Sequence, residues 1–525
     1  MRALLAVMVC ACVAVSADAA GTLRRGNHFE PSSLDPHKIS TVYERFIVQD
    51  LFEGLTEPGP DEQPHPGVAQ YWTLSPDGKS WTFVLRAGLK WSDGAPLTVD
   101  DVVFSFRRLL DPKTAGELAS TVYAIKNARL VNTGKLPVEQ LGVAAPNADT
   151  VVLTLEYPAP YLAALLASGT TAIVPKHAIA KFGDEWIKPG NAVGNGAFVL
   201  KEWIPNGGIT LVRNPNYREP PSLDQVVYEP TEDLDAALTR FKAGGLDMQF
   251  EFPSIQTDIL KRDMPTQTKI VPGQLTYYLP LNLNNPKLKD VRVRRALSLA
   301  VDRALLVSKV TRGGEMSADT YVPPSMPGYE PVKIPDFPPS MPERFAKARA
   351  LLTEVGITPA TPLRLTYTHG NTSDRKRIAV AIAAMWKPLG VIVSLEGLEG
   401  KVMFGNLREG NFEAAYVGWQ ADYPDAASFL TPLLSTNVVG NYSRYNNPAY
   451  DALINKAAAT ADPAARLAVM RDAEQMMIQD QPMVPLYTGV NRELVSPRVH
   501  GWQPNPSAIH LSRYLSIDPV APPRQ

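Results

Sequence analysis

Cysteine is almost absent from this 525-residue chain, and its two cysteines, Cys10 and Cys12, lie close to the amino terminus. Both fall inside an apolar run, Ala3–Val15, which follows an arginine and precedes the small residues of Ala17–Ala19. A basic start, a short apolar stretch and small residues are typical of a cleaved secretory signal peptide. We therefore expect residues 1–19 to be removed, which leaves a mature chain without disulfides, thiolate metal sites or a cysteine nucleophile.

An imbalance of charge and long apolar segments are also missing. The formal net charge is −1, which gives no electrostatic reason to bind nucleic-acid phosphates or an anionic membrane surface. No apolar run after the signal peptide is long enough for a membrane helix. We therefore expect a periplasmic protein with no nucleic-acid partner and no direct membrane insertion.

Catalytic motifs are missing as well. Gly78-Lys79-Ser80 is similar to the end of a phosphate-binding loop, but Thr73 stands where such a loop needs its first glycine. Neither the Gly-x-Ser-x-Gly turn of many hydrolases nor a His-Glu-x-x-His zinc helix occurs. The seven histidines are dispersed and never paired at the spacing of helical metal ligands. We expect no metal, no cofactor and no enzymatic activity.

Strand-like and helix-like segments alternate along the chain, which indicates an α/β protein of several lobes. A helix is predicted to start near Leu97, because Thr98 can cap it and two aspartates fall in its first turn. The other predicted elements are strands at 81–86, 151–155 and 391–395 and helices at 290–310, 344–355 and 374–389.

A long and specific pattern of residues begins at Gly67. It consists of Gly67–Trp72, Ser75–Gly78, Trp81–Arg86 and Gly88–Val102. Here the chain resembles the peptide/nickel family of ABC-importer solute-binding proteins, also called bacterial extracellular family 5. The resemblance is strongest to the oligopeptide-binding members. It extends over the mature chain through Ser33–Lys38, Asp50–Gly54, Pro189–Asn191, Asn195–Ala197, Asp290–Arg294 and Gly418–Tyr423.

The resemblance implies an α/β fold of the two-lobed periplasmic-binding-protein type (type II), with an extra inserted α/β domain and a cleft between the lobes. The implied divisions are domain I (lobe 1) at 20–43, 171–274 and 490–525, domain II (the insert on lobe 1) at 44–170, and domain III (lobe 2) at 275–489. Because the specific pattern lies in the insert, we expect Trp72, Trp81 and Trp91 to fill its core rather than to contact ligand.

The resemblance also implies a function. Members of this family are periplasmic receptors, and we expect this chain to capture oligopeptides by lobe closure and to deliver them to an ABC-transporter membrane permease. We expect a monomer. Other ligands of the same fold remain open, namely murein peptide, a dipeptide, a nickel chelate, haem or an oligosaccharide. An exported hydrolase is the alternative from a different class of protein.

Candidate site residues follow from the same resemblance. Asp422 stands where a carboxylate holds the peptide α-amino group, and the other interpretation is a loop aspartate before Pro424. Trp419 is expected either as a wall of the cleft or as a core residue. Main-chain pairing with an extended peptide is expected from Gly418 and Gln420 on one side and from Glu30 and Ser32 on the other.

The chain departs from its oligopeptide-binding relatives at several positions of the expected site. Tyr416 replaces an arginine that binds the ligand carboxylate, and Arg375 replaces a histidine with a similar task. Arg375 is therefore our main candidate for the ligand carboxylate, with Lys309 as a weaker one; the other interpretation of Arg375 is a solvated residue in a basic run. In addition, Gly400 stands for a tryptophan, and Leu275 and Gln420 stand for a disulfide pair.

Overall fold

The structure, a computed structural model, describes residues 21–60, 63–437, 440–460 and 462–519. The expected signal peptide and both cysteines lie outside this range. Within the described residues, no helix is long and apolar enough to cross a membrane. The same part of the chain has no group of three or more His, Cys, Asp or Glu side chains placed to hold a metal ion.

The described strands form one large sheet, two smaller sheets and two short antiparallel pairs. In chain order they are β1 (Thr22–Asn27), β2 (Thr56–Pro58), β3 (Pro64–Pro66), β4 (Ala69–Leu74), β5 (Ser80–Leu85), β6 (Val143–Ala144), β7 (Thr150–Thr154), β8 (Phe198–Ile204), β9 (Gly208–Arg213), β10 (Gln225–Pro230), β11 (Met248–Phe250), β12 (Thr268–Pro280), β13 (Met316–Ser317), β14 (Leu363–Gly370), β15 (Val391–Leu398), β16 (Ala414–Ala415), β17 (Val417–Gln420), β18 (Met483–Val495), β19 (Val499–His500) and β20 (Ser516–Ile517).

Helices cover the faces of these sheets. In chain order they are α1 (Val42–Leu51), α2 (Val99–Leu110), α3 (Ala128–Asn132), α4 (Leu162–Leu165), α5 (Lys176–Phe182), α6 (Leu234–Lys242), α7 (Thr257–Asp263), α8 (Val291–Leu299), α9 (Arg303–Leu305), α10 (Met341–Glu354), α11 (Ser373–Trp386), α12 (Gly400–Glu409), α13 (Ala427–Leu430), α14 (Pro448–Ala459) and α15 (Pro463–Asp480).

Two long strands connect the halves of the molecule. The large sheet has the order β17-β12-β18-β11-β1-β10-β9-β8, and β12 and β18 pair antiparallel along most of their 13 residues each. We call lobe 1 the part built on β1, β8–β11 and α1, and lobe 2 the part built on β14–β16 and α8–α15. Because β12 and β18 run from one lobe into the other, they are the connection about which the lobes can hinge.

Each part has its own buried core. Lobe 1 packs α1 and its central strands around side chains such as Phe46 and Phe198, and lobe 2 packs α8 and α11 around side chains such as Trp386. The inserted domain, built on β4–β7 and α2, buries Trp81 and Trp91, as predicted, whereas Trp72 is only partly buried against the same core. Its buried core continues into lobe 2. The division of the chain at 44–170 stays a prediction.

The predicted helix at 290–310 is wrong as a single element. Asp290 does cap α8, but α8 ends at Leu299, and a new start at Asp302 leads into α9 and a π-helical segment, Leu306–Thr311. Asp302 accepts the backbone N–H of Leu305 at 2.9 Å and so caps the second piece. The Arg303 guanidinium donates to the carbonyls of Ser298 (3.0 Å) and Val301 (3.3 Å), which satisfies the backbone at the break.

Candidate binding site

A cavity of about 110 Å³ lies between the two lobes. Its walls combine aromatic side chains with two carboxylates and two guanidinium groups. The lining residues are Ser40, Thr41, Val42, Tyr43, Arg45, Leu118, Phe250, Glu251, Leu275, Tyr277, Arg375, Phe404, Gly418, Trp419, Gln420, Asp422 and Tyr442. Apolar walls with a few placed charges are typical of a ligand site that fixes the orientation of its ligand.

One wall of the cavity is β17, the strand at one end of the large sheet. It pairs antiparallel with β12, and Ala421 just beyond it donates its N–H to the carbonyl of Gln274 at 2.8 Å. Because hydrogen-bonded and non-bonded pairs alternate along an antiparallel ladder, Gly418 and Gln420 direct their N–H and C=O groups away from β12. Since both residues line the cavity, these backbone groups are placed to pair with an extended chain.

The first charged end of the cavity holds Asp422, which follows β17. Its backbone N–H donates to Ser428 Oγ at 2.7 Å, and its carboxylate accepts a hydrogen bond from Arg45 Nη2. Arg45 comes from α1 of lobe 1, so this ion pair joins the two lobes across the cleft. Both side chains are at most 9% exposed. Burial raises the pKa of Asp422 above its usual value, and the charge of Arg45 offsets only part of that rise.

The opposite charged end holds Arg375 in the first turn of α11. Thr372 caps the helix by accepting the Arg375 backbone N–H at 3.2 Å. The guanidinium lies over the Phe29 ring, 5.4 Å from its centroid. Its Nη1 is buried, and among the described residues it has no hydrogen-bond partner. A buried donor without an acceptor is unfavourable, so this atom is placed to bind an anionic group.

Glu251 and His28 lie beside Arg375 and both come from lobe 1. His28 Nδ1 contacts Glu251 Oε2 at 2.5 Å. Burial alone would raise the pKa of Glu251, but this hydrogen bond and the nearby cations bring it to about 2. Burial also lowers the pKa of His28, so the pair at neutral pH is a neutral imidazole donating to a carboxylate. The left-handed φ of Glu251, 62°, is costly for a side chain and marks a constrained position.

A smaller cavity of about 20 Å³ continues beyond Arg375. It shares Glu251, Tyr277 and Arg375 with the first cavity and adds Tyr416 to its lining. Tyr416 stacks on Tyr277 with 5.4 Å between ring centroids, and its hydroxyl lies 2.5 Å from that of Tyr487. Tyr416, which stands where the relatives have an arginine, is therefore part of a wall of tyrosines behind Arg375.

Phe29 and Leu275 explain two of the departures from the resemblance. A Cβ atom added to Gly400 would lie 2.6 Å from Phe29 Cε1, so the Phe29 ring already fills the space of a larger side chain. Leu275 and Gln420, which take the positions of a disulfide, face each other across β12 and β17. An apolar side chain and an amide thus replace a cross-link between the same two strands.

Three of the predicted residues line neither cavity. Glu30 accepts a hydrogen bond from Trp203 Nε1 at 2.8 Å, and Ser32 donates its backbone N–H to Glu44 Oε1 at 2.9 Å. Ser32 therefore has only its carbonyl left for pairing with a ligand. Lys309 is exposed in the π-helical segment, away from both cavities. The structure brings together Arg375, Gly418, Trp419, Gln420 and Asp422 in one cavity.

Sequence reasoning missed Arg45 and Glu251. Arg45 lies 377 positions from Asp422, and Glu251 lies 223 positions from His28. No local pattern marks either residue, because each is defined by a partner from a distant segment. The one signal near Arg45 is the capping box of Thr41 and Glu44, which predicts the start of α1 but not the direction of its side chains.

Residues 63–441 match the sequence model of the bacterial extracellular solute-binding proteins, family 5 (middle). The chain belongs to this family. It is 40% identical over 488 residues to the periplasmic oligopeptide-binding protein OppA of Salmonella typhimurium, covering 92% of this chain and 89% of that one. It is 38% identical over 500 residues to the probable deoxycholate-binding periplasmic protein YgiS of Escherichia coli, covering 94% and 93%.

Solved structures of family members confirm the predicted fold. The murein tripeptide binding protein MppA of Escherichia coli matches with a TM-score of 0.92 at 37% identity, over 95% of this chain and 98% of that one. Haemophilus influenzae OppA in complex with the peptide RPPGFSPFR matches with a TM-score of 0.91 at 32% identity, over 95% and 99%. The unliganded open form of MppA matches with only 0.68, over 95% and 97%. The lobes of this chain are therefore in a closed arrangement.

Proposed function

We propose that this family 5 protein is a periplasmic receptor that captures oligopeptides by lobe closure and hands them to an ABC-transporter permease. The observation that carries the proposal is the outward-facing backbone of Gly418 and Gln420, with a carboxylate at one end of the cavity and, at the other, a guanidinium whose Nη1 has no hydrogen-bond partner among the described residues. This arrangement is complementary to a zwitterion with a repeating polar backbone. Salmonella typhimurium OppA is named as an oligopeptide-binding protein, and Haemophilus influenzae OppA is solved in complex with a peptide. Both relatives support the same interpretation.

The physical requirement on such a receptor is strict. Burying a peptide costs several kcal/mol for each amide or charge that finds no partner. An added strand against β17 would satisfy the amides, Asp422 would accept the α-ammonium, and Arg375 would bind a carboxylate. Trp419 and Phe404 would leave room for varied side chains along the aromatic wall, with water filling the remainder.

Several finer points belong to this proposal. We propose that the mature chain is a free periplasmic monomer without a signal peptide, and that it binds rather than cleaves its ligand. Domains I, II and III are proposed at the boundaries given above. The relatives named as periplasmic binding proteins support this location and this mode of action.

The test is to purify the protein, denature it, and identify by mass spectrometry what co-purified. We expect a mixture of uncleaved peptides. A peptide from that mixture, added back at a hundredfold excess over its Kd, should stabilise the fold by about 2.7 kcal/mol. Time-dependent fragments of added peptides would show a hydrolase instead. A protein that no peptide stabilises would refute the proposed function.

A ligand without an amine is the second candidate. Arg45 already occupies Asp422, which favours a ligand that brings a carboxylate and no ammonium. The chain is also similar to YgiS, which is named as a probable deoxycholate-binding protein, and this similarity supports the alternative. Stabilisation by deoxycholate together with no response to peptides would establish it.

A further inference from the structure

The carboxylate of Asp422 already has a cationic partner. Arg45 from lobe 1 donates to it, and both side chains are buried between the lobes. A peptide ammonium that enters this end therefore meets a carboxylate that already has a cation. Either the ammonium displaces Arg45 or the two cations share one carboxylate, and in both situations the site holds one positive charge too many.

The cavity offers little else to neutralise that charge. Among the described residues that line it, Asp422 and Glu251 are the two carboxylates. Glu251 is held by His28 at 2.5 Å and stands next to Arg375. Glu44, close to Arg45 in sequence, accepts hydrogen bonds from the backbone N–H groups of Ser32, Ser40 and Thr41. No other carboxylate lines the cavity at the Asp422 end, so an anion that comes with the ligand is the one placed to contact Arg45 there.

We propose that Arg45 is a specificity-determining residue that selects peptides with an acidic side chain next to their amino terminus. This inference rests on the peptide function proposed above. The ligand ammonium would pair with Asp422, and the ligand carboxylate would pair with Arg45, so that four charges form two pairs. A neutral peptide supplies only the ammonium and leaves one cation of this buried end without a counter-ion.

A ligand carboxylate that pairs with Arg45 would lie in the main cavity, which Arg45 and Asp422 both line. A side cavity of about 20 Å³, room for about one water molecule, opens beside Asp422 between the inserted domain and lobe 2. It shares Leu118, Trp419 and Asp422 with the main cavity, and its other walls include Ser120 and Thr121. Arg45 does not line this side cavity, so its polar walls can hold water beside Asp422 while the ligand carboxylate pairs with Arg45 in the main cavity.

The experiment compares two peptides that differ at the first residue only, Glu against Gln, by calorimetry. We expect the wild-type protein to bind the Glu peptide at least about tenfold more tightly. In Arg45→Met this preference should disappear or reverse, while the Gln peptide should bind more tightly than to wild type because Asp422 then lacks a competing cation. Arg45→Lys, which keeps a cation, should retain part of the preference and guards against a folding defect in Arg45→Met.

Arg408→Met is the matched control. Arg408 lies near the same end, with Nη1 3.4 Å from Ser40 Oγ and 3.9 Å from Glu117, but it does not line the cavity or contact Asp422. Its Glu-to-Gln ratio should equal that of wild type. A wild-type ratio near one, or a preference that survives Arg45→Met, would overturn the inference while peptide binding itself stands. Failure of both peptides to bind wild type would instead refute the proposed function.

Discussion

The two charged ends of the cleft differ in how far the protein satisfies them. At one end Asp422 already has a cation from the other lobe, whereas at the other end the buried Nη1 of Arg375 has no acceptor among the described residues. For a peptide ligand as proposed, we expect the ammonium to compete with Arg45 for Asp422, and the carboxylate to find Arg375 Nη1 without a hydrogen-bond acceptor. On this proposal the Arg375 end contributes more binding free energy and the Asp422 end contributes more selectivity.

The largest expected effect is at the Arg375 end of the cleft. Arg375→Ala should weaken peptides with a free carboxyl terminus by about 2–5 kcal/mol, because the ligand carboxylate is left unpaired in a buried site. The same peptides with an amidated carboxyl terminus should change little. Calorimetry on both peptide forms measures the difference. Lys376→Ala is the control from the same basic run, since Lys376 is exposed and does not line the cavity.

Equal losses for amidated and free peptides in Arg375→Ala would contradict the assignment. Arg375 would then be a residue that stabilises α11 or the Phe29 contact and does not read a terminus.

The second prediction concerns acid stability of the same end. The folded pKa of Glu251, about 2, lies below its ordinary 4.5, so the unfolded chain binds the extra proton in this window. The contribution of Glu251 to the free energy of unfolding is about 3 kcal/mol. It is fully present above about pH 4.5 and is lost as the pH falls toward 2. Burial of neutral His28 adds a loss below its ordinary pKa of 6.5, in the same direction.

Urea unfolding of wild type and Glu251→Gln from pH 7 to pH 3 measures this prediction. The variant should lose less stability on acidification than wild type. The Asp422 end gives the opposite sign, because its raised pKa makes the carboxyl costlier as the pH rises through its ordinary 3.8. Asp422→Asn should therefore steepen the loss of stability on acidification, and identical pH profiles for both variants would contradict the difference between the ends.

The smallest effect is expected for ligand binding at the Asp422 end. Asp422→Asn should weaken peptides with a free amine by about tenfold, or 1.4 kcal/mol, since the ammonium gains only a share of a carboxylate that Arg45 already uses. N-acetylated peptides, which lack the ammonium, should be spared. A loss as large as that of Arg375→Ala, measured on the same peptide, would show that Arg45 does not compete.

Structural features that depend on a short segment of the chain were predictable from the sequence. The cap at Thr98, the strand around Trp81 and the segment from Gly418 to Asp422 all combine local preferences with a pattern that the family shares. Placement of Arg375 in the cleft needed the resemblance, because the basic run around it predicts a solvated surface by itself.

What was not predictable depends on partners from distant segments. The break near Asp302 exists because Arg303 can satisfy the carbonyls there, also donating to Pro485 at 2.8 Å. The pairing of Arg45 with Asp422 exists because α1 and β17 meet across the cleft. A helical pattern read along one segment contains neither of these contacts.

The place of β1 in the large sheet has a consequence for how the chain reaches this structure. β1 lies between β10 and β11, and β11 pairs with β18. Arg25 in β1 donates to the carbonyl of His510 at 2.7 Å and to Ser512 Oγ at 2.8 Å, across 485 and 487 positions. The Arg25 side chain therefore finds these acceptors only when the carboxyl-terminal segment folds against β1. Pairing over such distances along the chain is slow and leaves apolar strands exposed until it is complete.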